Sequence, residues 1–128
     1  MASISQSQVA EEFEKLKSFY SFNFDSLKSK QLSLITDIVN GKDCFGLLPI
    51  GYGKSATFFL PPLLRSALEN KKFYSLIVSP MKSLMLDQVD QLTACGIKSV
   101  ALGPDMTEEQ KKGFGIYSSF QATVVLMF

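Results

Sequence analysis

The sequence predicts an α/β fold, a parallel sheet with flanking helices, preceded by N-terminal helices. Three observations carry this. Short β-favouring runs alternate with stretches of helical spacing, the pattern of βαβ units. A glycine-containing stretch, Leu47-Leu48-Pro49-Ile50-Gly51-Tyr52-Gly53-Lys54-Ser55, lies between an apolar run and a helix-like segment. The 128 residues, 46% of them hydrophobic, suffice for one domain with a real core.

Taken in order, Val9, Phe13, Leu16 and Tyr20 fall at helical spacing, with Glu11, Glu12, Glu14, Lys15 and Lys17 opposite. Ser5 and Gln8 have the spacing of a capping box. A second helix is predicted over Ser29–Val39, with Leu32, Ile35 and Val39 inward and Asn40-Gly41 as its stop. Cys44–Leu48 is expected to be a strand. Ser55–Leu60 begins a helix that Pro61-Pro62 should break or kink, and Leu63–Leu68 resumes the pattern.

Phe73–Ser79 reads as a strand, Lys82–Leu92 as a helix and Lys98–Leu102 as a third strand. Thr107–Lys112 is a short helix opened by Thr107 and Gln110, and Ala122–Phe128 a fourth strand. Right-handed crossovers in such a sheet bring the strand C-termini to one edge, where ligands bind. A sheet of so few strands is also expected to leave an unpaired edge.

Bulk properties exclude several functions. The net charge is only +1, so no global basic field announces nucleic acid, and any such contact must be local. The absence of histidine removes histidine bases, Ser-His triads and His-containing zinc sites. Cys44 and Cys95 lie far apart in apolar surroundings and read as buried free thiols, which suits a reducing compartment. No apolar run approaches the roughly 20 residues that span a bilayer. Met1–Gln8 is polar and lacks a signal-peptide core. These features lead us to expect a soluble, intracellular chain with no membrane partner.

The stretch at 47–55 is where chemistry concentrates. Gly51 and Gly53 let backbone N–H groups crowd an anion. Lys54 can place a positive charge on β- and γ-phosphates, and Ser55 can offer a hydroxyl to Mg²⁺. The following helix would direct its positive end at the same phosphates. The alternative is a glycine-rich turn with Lys54 merely solvated. The general pattern also asks for glycine where Leu48 stands.

Two further stretches matter. In Phe22-Asn23-Phe24-Asp25-Ser26-Leu27-Lys28-Ser29-Lys30-Gln31, the Gln31 amide offers a donor and an acceptor that suit an adenine edge. Taken by itself it reads better as an exposed helix residue. From Ser79 to Leu92 the chain passes from strand to helix, and Ser79, Lys82, Ser83 and backbone amides could hold a phosphodiester. An ordinary βα turn would look the same in isolation.

In this order, the three stretches resemble the RecQ family of superfamily 2 DNA helicases. Phe22–Gln31 resembles its motif 0, Leu48–Ser55 its motif I and Ser79–Leu92 its motif Ia, the most specific of the matches. Glu108-Glu109-Gln110 stands where the family has a similar acidic stretch. The helicase form of motif I does not require the first glycine, which accounts for Leu48.

The resemblance implies a partial RecA-like P-loop domain over 21–128, incomplete at its C-terminus, after a helical extension over 1–20. It implies an ATP-dependent 3′–5′ DNA helicase of DNA repair and recombination. The chain would be its N-terminal part, nuclear in a eukaryote and otherwise cytoplasmic. Lys54 and Ser55 would be catalytic. Lys28 and Gln31 would read adenine. Pro49, Ile50, Gly51, Tyr52, Gly53, Lys54, Ser55 and Ala56 would cradle ATP, with Mg²⁺ on Ser55. Ser79, Pro80, Lys82 and Ser83 would touch the DNA backbone at a single strand or duplex junction.

Three positions depart from the family pattern. Ile50 stands for the usual Thr, Tyr52 for a frequent Gly and Lys28 for the usual Arg, losing a planar fork. The Asp-Glu pair of Walker B does not follow any apolar strand here, and a second RecA-like domain is lacking. The chain alone is therefore expected not to hydrolyse ATP. Two other readings stay open. One is a non-catalytic, degenerate helicase lobe that binds nucleotide or a partner. The other is a different P-loop enzyme, such as a small kinase or GTPase.

Overall fold

The computed structural model describes residues 3–103 and the strand at 123–127. Along them run α1 (Gln6–Leu16), α2 (Ser29–Val39), α3 (Ala56–Glu69), β1 (Tyr74–Val78), α4 (Lys82–Cys95), β2 (Ser99–Leu102) and β3 (Thr123–Met127).

The capping box at α1 is present. Ser5 Oγ accepts from the Gln8 amide at 3.2 Å, and Gln8 Oε1 accepts from the Ser5 amide at 2.8 Å. Val9, Phe13 and Leu16 are buried, while Glu12–Lys15 and Glu14–Lys17 pair on the wet side. In α2, Ile35 and Val39 are fully buried, whereas Leu32 is only half-buried. Gly41 ends the helix at φ 76°, a left-handed turn that glycine adopts without strain. Asn40 does more than stop it. Its side chain donates to the Ile4 carbonyl and accepts from the Ile4 amide, both at 2.8 Å, fastening the N-terminal segment to α2.

Three expectations fail. Cys44–Leu48 is not a strand but exposed coil, with Phe45 88% and Leu47 78% accessible. A strand needs a ladder partner, and no described strand pairs with this run. Cys44 is accordingly exposed rather than buried, and Cys95 is only half-buried. Nor do Pro61 and Pro62 break the helix, since α3 continues through both. Their missing N–H groups cost roughly 3 kcal/mol each in a helix interior. Against that, Phe59, Leu60, Leu63 and Leu64 are buried around them, each contributing about 1.5–3 kcal/mol. Packing outweighs the broken ladder.

β1 begins and ends within the expected strand. α4 runs three residues further than the pattern suggested, to Cys95, until Gly96 at φ 89° lets the Ile97 amide turn back to the Leu92 carbonyl at 2.9 Å. The sheet is parallel, as expected, in the order β1-β3-β2, with Leu76 and Val100 both opposite Val125. Among the described strands β1 lies at the edge, and Tyr74, Leu76 and Val78, which share one face of it, are exposed. The helix expected at Thr107–Lys112, with Glu108, Glu109 and Gln110, lies outside the described residues.

α3 is the hub, packing against α1, α2, β1 and β3. Phe13 stacks on Phe22 at 5.5 Å and on Phe24 at 5.6 Å between ring centres, and Phe22 leans on Phe59 at 6.1 Å. This aromatic cluster pins the segment before α2 against α1 and α3, which sets one wall of the site below.

Candidate functional site

The loop between Pro49 and Ser55 is a compact turn. The Tyr52 amide donates to the Pro49 carbonyl at 3.1 Å, and Gly51 and Gly53 lie at φ 80° and 91°. Those left-handed values need glycine at both places. Tyr52 sits between them, with its carbonyl turned toward α2. The loop then feeds α3, where Thr57 Oγ1 donates to the Lys54 carbonyl at 2.6 Å. Lys54 and Ser55 are thus fixed just before the first turn of α3.

The start of α2 closes on this loop. Gln31 is only 4% exposed. Its Nε2 donates to the Gly53 carbonyl at 2.8 Å and to the Tyr52 carbonyl at 3.2 Å. Its Oε1 accepts from the Lys28 amide at 2.8 Å. The Lys28 ammonium donates to the Tyr52 carbonyl at 3.1 Å and lies 4.6 Å from the Tyr52 ring centre. The Tyr52 hydroxyl accepts from the Lys30 amide at 3.2 Å. A Cβ on Gly53 would come within 2.6 Å of Gln31 Nε2, so glycine is also what lets the side chain approach.

Among the cavities that border the loop, two bring the sequence-predicted residues together. The first, about 490 Å³, is lined by Phe24, Lys28, Gln31, Gly51, Tyr52, Gly53, Ser55 and Ala56, and across from them by Gln88, Gln91 and Cys95 of α4. Burial pushes the Cys95 thiol up, so it keeps its proton there. The second, about 400 Å³, joins Lys54 and Ser55 to Ser79, Pro80, Leu84 and Gln88. Among the described residues no Asp or Glu lines either cavity, and Lys28 and Lys54 contribute positive charge. Such a surface attracts anions.

The residues singled out in the sequence are partly brought together. Lys28, Gln31, Gly51, Tyr52, Gly53, Ser55 and Ala56 surround the first cavity. Lys54 faces the second, beside Ser79 and Pro80 at the C-terminal end of β1. Ser79 Oγ accepts from the Met81 amide at 3.4 Å and shapes that turn. Lys82 and Ser83 are exposed on the first turn of α4 and line neither cavity. Pro49 and Ile50 also stay outside, Ile50 being 99% exposed.

Sequence reasoning passed over Phe24, Gln88 and Gln91. Phe24 was visible in the aromatic run before Lys28. Gln88 and Gln91 stand three apart, hence on one face of α4. Gln88 Nε2 donates to Ser55 Oγ at 3.1 Å, so the two cavities share a wall. Among the described residues, no three of Cys, Asp and Glu cluster as a metal site.

The profile of the DEAD/DEAH box helicase family matches residues 28–127. The chain belongs to that family. The RecQ resemblance read from the motifs is met by its relatives. The chain is 41% identical over 73% of its length to a probable ATP-dependent DNA helicase RecS of Bacillus subtilis. It is 36% identical over 71% to the ATP-dependent DNA helicase RecQ of Haemophilus influenzae. It is 33% identical over 76% to the RecQ-like DNA helicase BLM of Xenopus laevis. It spans 18%, 14% and 7% of these three proteins. As a DEAD/DEAH box helicase segment it has an α/β fold, and no helix among its described residues is long and apolar enough to cross a membrane.

Proposed function

We propose that this chain is the nucleotide-binding lobe, RecA-like over 21–128, of an ATP-dependent 3′–5′ DNA helicase of the RecQ type. The observation that carries the reading is the start of α2 folded onto the loop, with Lys28, Gln31, Gly51, Gly53 and Ser55 around a cavity that no carboxylate lines among the described residues. Gly51 and Gly53 supply the left-handed backbone that a phosphate cradle requires.

In this reading Phe24, Lys28 and Gln31 hold the base. Pro49, Ile50, Gly51, Tyr52, Gly53 and Ala56 form the cradle, Lys54 neutralises phosphate charge and Ser55 offers its hydroxyl to Mg²⁺. ATP, when bound, supplies the phosphoanhydride whose cleavage drives strand movement. Ser79, Pro80, Lys82 and Ser83 contact the DNA backbone, which positions a strand without reading its sequence. The residues at 1–20 form a helical extension, and the protein works wherever its DNA is kept.

Titration of the chain with Mg-ATP, monitored by calorimetry, tests the reading. Saturable binding that Lys54→Ala weakens supports it, and no binding at millimolar nucleotide removes it. A second reading, a lobe that binds nucleotide without turnover, is favoured by Ile50 and Tyr52 in the cradle. DNA-stimulated phosphate release from a longer protein carrying this segment would exclude that second reading.

A further inference from the structure

Tyr52 is the residue at which this loop departs most in bulk from the family pattern, and it makes the most contacts to α2. α2 (Ser29–Val39) is capped by Lys28, whose ammonium cannot accept a hydrogen bond, so no cap side chain serves the Lys30 amide. Tyr52 supplies an acceptor from 22 residues away, its hydroxyl accepting from the Lys30 amide at 3.2 Å. Its ring takes the Lys28 ammonium at 4.6 Å, and its carbonyl accepts from both Lys28 Nζ and Gln31 Nε2. Gln31 Nε2 has two protons, and both point at loop carbonyls, those of Tyr52 and Gly53.

We propose that Tyr52 is a latch that competes with nucleotide for Lys28. This rests on the nucleotide reading above. A base or phosphate needs the Lys28 ammonium. That ammonium is committed to the Tyr52 ring and carbonyl while Tyr52 is seated. Nucleotide binding therefore includes unlatching, and the apparent affinity falls with the fraction of chains that are unlatched. Glycine at this position would remove the ring and hydroxyl but keep the backbone contacts.

The test measures Mg-ADP affinity by calorimetry for the chain, Tyr52→Gly and Tyr52→Phe, with thermal melts to confirm folding. Tyr52→Gly is expected to bind about five- to tenfold more tightly. Tyr52→Phe, which keeps the ring over Lys28 but loses the Lys30 bond, falls between. By NMR, the Lys28 ε-methylene protons should be shifted upfield by the ring, and Mg-ADP should abolish that shift. Equal or weaker binding by both variants, with wild-type binding intact, overturns the latch and leaves the nucleotide site standing. An upfield shift that persists at saturating Mg-ADP also overturns it. Absence of binding by all three proteins removes the nucleotide site and the latch with it. Should Tyr52→Gly fail to fold, Tyr52→Phe decides alone, and unchanged affinity rejects the proposal.

Discussion

Gln88 and Ser55, 33 residues apart, are joined by a 3.1 Å hydrogen bond from Nε2 to Oγ. The bond ties the end of the loop to α4, whose first turn carries Lys82 and Ser83. A hydroxyl oxygen keeps a second lone pair, so Ser55 can serve Mg²⁺ while bonded to Gln88. Replacement by Gln88→Leu is expected to cost about 1 kcal/mol in urea unfolding, the net worth of one such bond. It should also reduce the effect of Mg-ATP on single-stranded DNA affinity, because coupling must pass through a physical link. Equal coupling in the variant and the parent would show that α4 senses the loop by another route.

Lys54 is exposed, and among the described residues none of its neighbours in the second cavity is acidic. Removing it should leave the core untouched. Lys54→Ala is expected to change stability by no more than about 0.5 kcal/mol, as surface substitutions do. Mg-ATP affinity should fall at least about tenfold. Melting curves and calorimetry on the same preparation separate the two effects. A large drop in melting temperature would mean that Lys54 is structural.

Most helices were legible because their signals are local. Ser5 with Gln8, Asn40 with Gly41, and apolar spacing at Val9, Phe13 and Leu16 fixed the start of α1 and the whole of α2 almost to the residue, while the spacing that ran on to Tyr20 overshot α1, which ends at Leu16. Pro61 and Pro62 misled because local propensity is weak against the burial around Leu60 and Leu64. Cys44–Leu48 misled for the opposite reason, since strand residues without a ladder partner do not make a strand. The loop itself was readable from Gly51, Gly53, Lys54 and Ser55. What no spacing revealed was that Gln31 and Lys28 grip that loop, or that Gln88 reaches Ser55, because both are contacts between distant segments.

Phe13 is 2% exposed and stacks on both Phe22 and Phe24. Phe13→Ala should cost about 3–5 kcal/mol in chemical denaturation, the range for emptying a core aromatic. The loss should reach the site as well, because Phe24 lines the first cavity. Phe13→Leu refills part of the space and is expected to recover about half of the stability. If the leucine variant binds Mg-ATP like the parent, the cluster supports the fold without shaping the site.

Gly96 closes α4 at φ 89°. A Cβ there would meet Tyr20 Cδ1 at 3.8 Å, an ordinary contact, so the cost of substitution lies in the backbone. Gly96→Ala should therefore lower stability by about 1–2 kcal/mol through left-handed strain. Gly96→Asn should lose less, since asparagine tolerates this region. A ranking of Ala below Asn below Gly in urea midpoints checks the argument, and equal values for Ala and Asn would mean that the cap relaxes.

Cys95 and Tyr20 supply a pH dependence of definite sign. Burial pushes both acids up, so the folded chain holds their protons when the unfolded chain has begun to release them. Stability from this source is fully present below the ordinary thiol range, about pH 8.5, and is lost as pH rises through the raised values. Tyr20 extends the loss above about pH 10. Cys95→Ala should remove the first part of the fall and leave the second, and Tyr20→Phe the reverse. The exposed Cys44 offers an internal comparison. Brief alkylation at pH 8, mapped by peptide mass, should label Cys44 well before Cys95, because the thiolate is the nucleophile and Cys95 holds its proton. Faster labelling at Cys95 would contradict the burial that sets the sign of the whole effect.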